Sequence, residues 1–85
     1  ALPVWSYRRM MMDRAAAALD HFAAAERDIS ALTLCLSKDG LAEVKERIRK
    51  FRRELLNYSV DQDDPEQVVQ INFQLFPPTA RRDEP

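Results

Sequence analysis

Hydrophobic positions in the first third of the chain recur at helical spacing. Tyr7, Met11, Ala15, Ala18 and Phe22 share one face, with Met12 and Leu19 beside it, so a helix is expected from Pro3 to about Ala25. Alanine is dense at Ala15–Ala18 and Ala23–Ala25, which favours helix and permits close approach of another backbone. From Asp28 the period changes to two: Leu32, Leu34 and Leu36 alternate with Ala31, Thr33 and Cys35, the pattern of a strand with one apolar face. Ser37 is then placed to cap a long helix over Lys38–Asn57, in which Leu41, Val44, Ile48, Phe51 and Leu55 form a single stripe. Glu43 with Arg47 and Glu46 with Lys50 stand as acid-before-base pairs four residues apart. An acidic connection, Tyr58–Glu66, leads into a second alternating run, VVQINFQLF, which Pro77 and Pro78 end.

The predicted order is helix, strand, helix, strand. That order defines a small two-layer α/β module of α-β-α-β topology, with parallel strands, a right-handed helical crossover and both helices on one face. One feature sits badly with it: Gln70, Asn72 and Gln74 occupy the sheet face that parallel sheets usually cover. Two strands alone are also marginal. Extension of the sheet by a second copy resolves both difficulties, and a homodimer is the expectation.

Size leads to the same expectation. A domain of 85 residues buries only about 60 to 65% of the surface its unfolded chain exposes. The single cysteine rules out an internal disulfide, and no spacing of Cys, His and acids builds a four-ligand zinc site. Oligomerisation is the remaining support. No apolar run reaches the length of a membrane span and the first residues do not read as a secretory signal, so a cytoplasmic setting is expected. The start at Ala1 without a methionine suggests a piece of a longer protein.

The chemistry-bearing residues point away from catalysis. Cys35 and His21 are the only members of their types, and each has a structural reading, as a small buried hydrophobe and as a cation at a helix C-terminus. With Gly40 the only glycine there is no phosphate loop, and Asp61, Asp63, Asp64 and Glu66 lack the pattern of a calcium loop. No enzyme activity, cofactor or metal is expected. Lys45, Arg49, Arg52 and Arg53 cluster on the second helix, away from its apolar stripe, as candidate contacts to nucleic-acid phosphates or to a partner. Against nucleic acid stand the formal net charge of −1 and the lack of aromatic residues among these cations; a solvated face, or one that meets the acidic loop of a neighbour, is the simpler reading. The amides Gln70, Asn72 and Gln74 are a candidate interface. Trp5 and Met10–Met12 offer an adaptable apolar surface.

Three stretches carry a family resemblance: Glu26–Leu34 (ERDISALTL), Phe51–Leu56 (FRRELL) and Val69–Pro77 (VQINFQLFP). Together they resemble the C-terminal part of a bacterial paralogous family of transcription regulators, catalogued as a domain of unknown function and expanded in fibrobacters and predatory bacteria. The family pattern is RDIS-x-LT, a helix, then V-x-QLN-x-QLFP; this chain departs at Val69, where an aromatic is common, and at Ile71, where leucine is common. The resemblance spans roughly residues 8–78. It implies a helix-turn-helix-like DNA-binding region upstream and, for residues 1–78, a dimerising or signal-receiving domain, with 79–85 as a tail. The function so implied is regulatory and non-enzymatic. The alternatives are a scaffold that binds protein through the sheet edge or amide face, and direct nucleic-acid contact through the basic helix at 45–53.

Overall fold

A computed structural model describes residues 3–79. Helix α1 spans Val4–His21, a 3₁₀ turn follows at Ala24–Glu26, and helix α2 spans Lys38–Val60. Among the described residues there is no strand. The expected α/β module, with its crossover and two-stranded sheet, is therefore incorrect: the regular elements are all helical. The backbone hydrogen bonds outside the helices lie in turns at helix ends, and none joins the segment at 28–36 to that at 66–77. Alternation fixes which side chains share a side of an extended chain; it does not supply a neighbour to close the ladder, and two strands gain little by pairing alone.

The chain divides into two compact units. Among the described residues the first comprises 3–34 together with Val68–Asn72. Its α1 starts on the carbonyl of Pro3, which accepts from the amides of Ser6 and Tyr7 at 3.1 and 3.2 Å. Proline presets the backbone for a first turn but offers no side-chain cap. The helix ends earlier than its alanine content suggests. Phe22 turns extended, and its carbonyl accepts from Arg27 Nε at 3.1 Å, so a side chain replaces the next helical amide. Met11, at the middle of the predicted stripe, is buried, with Ala15 and Ala18 half-buried beside it; Tyr7 and Phe22 at the stripe's ends are exposed.

Among the described residues the second unit comprises Cys35–Gln67 with 73–79. Ser37 caps α2 as expected: its Oγ accepts from the Gly40 amide at 3.0 Å, and Asp39 stands in the first turn, at the positive helix end. Val44, Ile48 and Leu55 of the stripe are half-buried, and Phe73 meets Phe51 edge-on, with ring centroids 6.3 Å apart and planes at 81°. The helix runs three residues past Asn57. Ser59 Oγ donates to the Leu56 carbonyl at 2.7 Å and the Asp61 amide closes on Tyr58, so the last carbonyls find donors before Pro65 intervenes. The predicted tail from residue 80 lies outside the described residues.

Candidate interaction surface

Helix α2 separates its charges by face. At 3.6 residues per turn, Lys38, Lys45, Arg49, Arg52 and Arg53 fall within an arc of roughly 100° that contains no carboxylate. The arc flanks the apolar stripe rather than opposing it, because Arg52 follows Leu41 closely around the wheel. Leu56 and Val60 continue the same arc toward the C-terminus, and they are 64% and 74% exposed. The acids Asp39, Glu43, Glu46 and Glu54 lie on the other flank.

Two ion pairs bridge that flank. Arg47 Nε donates to Glu43 Oε2 at 2.8 Å, as the spacing predicts. Glu46 pairs with Arg49 at 2.7 Å instead of with Lys50, so one of the four candidate cations is drawn partly toward the acidic side. Lys45, Arg52 and Arg53 enter no ion pair among the described residues. Hydrogen bonding from Arg47, then its charge, holds the Glu43 carboxyl below its ordinary value, with Lys50 adding a smaller pull. Directly beyond α2 come Asp61, Asp63, Asp64 and Glu66, all exposed. They stand at the negative end of the helix dipole, where anions are disfavoured, and the last turn carries no basic residue.

The amides behave differently from one another. Gln70 Nε2 donates to Asn72 Oδ1 at 3.1 Å, so these two side chains share a side, as the period of two requires even without a sheet. Asn72 Nδ2 in turn donates to the main-chain carbonyl of Met11 at 2.8 Å, and Asn72 is half-buried. It ties Val68–Asn72 to the middle of α1 inside the first unit. Gln74 is exposed. On α1, Trp5, Arg8, Arg9, Met12 and Asp13 line a shallow surface hollow.

His21 stands in the last turn of α1, and Cys35 is exposed where a buried site was expected. Among the described residues no three of His, Cys, Asp and Glu come together to hold a metal ion, and no helix is long and apolar enough to cross a membrane. Sequence reasoning missed the tie between Asn72 and Met11. The only available signal was an asparagine flanked by apolar residues, which does not reveal a partner 61 positions away.

Among the described residues two α-helices, a charge-segregated helix face and long non-helical segments with exposed apolar side chains define a small helical chain. The chain belongs to the family described as Domain of unknown function (DUF4423), whose match covers residues 2–77. No curated protein and no solved structure matches it.

Proposed function

We propose that this chain is the non-enzymatic self-association and regulatory module of a bacterial transcription regulator. The observation that carries the self-association is burial. Among the described residues Met11 is the only buried hydrophobic side chain, while Trp5, Leu32, Leu56, Val68 and Phe76 are among many exposed ones. Leu32 is 76% exposed and Val68 98%. A chain of this size buries a modest share of its surface on folding, and exposed apolar side chains in this number leave area that a partner would cover. The regulatory role rests on the resemblance of RDISALTL and VQINFQLFP to a regulator family. Self-association then fixes the spacing of two DNA-binding heads contributed by an upstream region, and a signal that prefers one dimer geometry biases operator binding.

Sedimentation equilibrium tests the association and is expected to show a dimer at micromolar concentration; a stable monomer there overturns the reading. Fusion to a helix-turn-helix head that occupies its operator only as a dimer tests the regulatory part. Restored repression is expected, and a silent fusion of normal abundance counts against it. Direct nucleic-acid contact through Lys45, Arg49, Arg52 and Arg53 is the second reading, favoured by an arc without carboxylates. If charge reversal there leaves duplex affinity and its salt dependence unchanged in the intact protein, that contact is absent.

A further inference from the structure

We propose that the basic arc of α2 from Lys45 to Val60, with the acidic turn that follows the helix, is a twofold interface with a second copy of this chain. The proposal rests on the self-association reading and names the surface that performs it.

A twofold interface must be self-complementary: whatever a patch carries at one end, it must match at the other. This face meets that condition about Leu56. Toward the N-terminus it carries Lys45, Arg49, Arg52 and Arg53, and at the centre exposed Leu56 and Val60; the exposed acids Asp61, Asp63, Asp64 and Glu66 follow directly beyond the helix end. Arg49 and Asp63 each lie seven residues from Leu56, on opposite sides. Two copies laid antiparallel with the axis at Leu56 therefore direct the acidic turn of each toward the cations of the other, with Arg49 about 10 Å from the axis by helical rise. Leu56 and Val60 of both copies meet in the middle, where water is expelled.

Two local features of one copy are relieved by this arrangement. The carboxylates Asp61–Glu66 stand at the negative end of the α2 dipole with no basic residue in the last turn, and a neighbour's cations supply the missing positive charge. Lys45, Arg52 and Arg53 have no ion partner among the described residues, and the neighbour's turn supplies one. A phosphate backbone satisfies only the cations. It leaves Leu56 and Val60 uncovered and meets the acidic turn as a like charge, in a chain whose formal charge is −1.

Charge swaps in the intact protein, followed by sedimentation, test the proposal. Arg49→Glu with Arg53→Glu sets acid against acid across both halves of the interface, and Asp63→Lys with Asp64→Lys sets base against base. Each double variant is expected to associate at least about tenfold more weakly than the parent. A mixture of the two restores opposite charges at both contacts, and it is expected to form a heterodimer of near-parental affinity. That recovery also shows that both variants are folded. A parent that associates while either variant matches it, or while the mixture fails to recover, places the interface elsewhere and leaves the self-association reading standing. A parent that stays monomeric at every concentration removes both. Loss of binding to a short DNA duplex in the arginine variant, with sedimentation unchanged, overturns the proposal in favour of a nucleic-acid face.

Discussion

At the start of α2 two residues compete for one small space. A Cβ added at Gly40 comes 3.2 Å from Ser37 Oγ, the oxygen that receives the Gly40 amide, and 3.7 Å from Leu36. Gly40 has no positive φ, so alanine is permitted by the backbone and gains about 1 kcal/mol in helix propensity. That gain is opposed by displacement of the cap, itself worth about 1 kcal/mol. Gly40→Ala is therefore expected to stabilise clearly more in a Ser37→Ala background than in the parent, and a double-mutant cycle on urea midpoints measures the difference. Equal effects in both backgrounds mean that the close approach relaxes at no cost. Asn72 offers a second test. Asn72→Ala removes the donor to the Met11 carbonyl and is expected to cost about 1 kcal/mol. Asn72→Asp sets a carboxylate against that carbonyl and costs more at neutral pH. Its deficit should shrink as acid protonates the introduced group, which then donates; a deficit independent of pH argues that residue 72 is not held against α1.

At the scale of the elements, the pairs on α2 give a pH dependence of definite sign. The Glu43 carboxyl is lowered in the folded chain, by the hydrogen bond from Arg47 first, so this pair stabilises the helix above the ordinary carboxylate value of 4.5. The contribution is lost as pH falls through the lowered folded value. The pair is fully exposed, and salt should weaken it as acid does. Circular dichroism of the parent and Glu43→Gln is expected to show a small helicity difference at neutral pH and low salt that closes on acidification; a difference surviving at pH 2 sinks the assignment to charge. The helices were legible because their signals are local: a stripe every three or four residues, Ser37 before the first turn, acid-before-base spacing. The strands were not, because alternation describes one chain and a ladder requires two. Leu34 and Cys35 fall in different units, as do Asn72 and Phe73, so each alternating run is shared between the surroundings of two helices. Of the candidate site, the cations of α2 could be read directly. Whether Glu46 takes Arg49 or Lys50 is a local choice between two partners within one turn that spacing alone leaves open, whereas the reach of Asn72 to α1 depends on tertiary placement that no spacing encodes.

For the molecule as a whole, the exposed apolar surface has a thermodynamic consequence that does not depend on which face associates. Ordering a residue costs roughly 1–2 kcal/mol of backbone entropy, and burial of apolar area is the main term set against it. With Met11 as the only buried hydrophobic residue among those described, one copy supplies little of that term. Under the proposed self-association that term is supplied when two copies meet, and the stability of the fold would then be a function of protein concentration. Thermal unfolding followed by far-UV ellipticity is therefore expected to shift upward by several degrees for each tenfold rise in concentration, beginning in the micromolar range. If the interface includes the charged face of α2, the shift should diminish at 1 M salt, where the Debye length is about 3 Å. A salt-insensitive shift points instead to the apolar segments around Leu32 and Val68 as the associating surface. A midpoint that does not move with concentration means that one copy is sufficient, and the self-association reading then loses its physical basis.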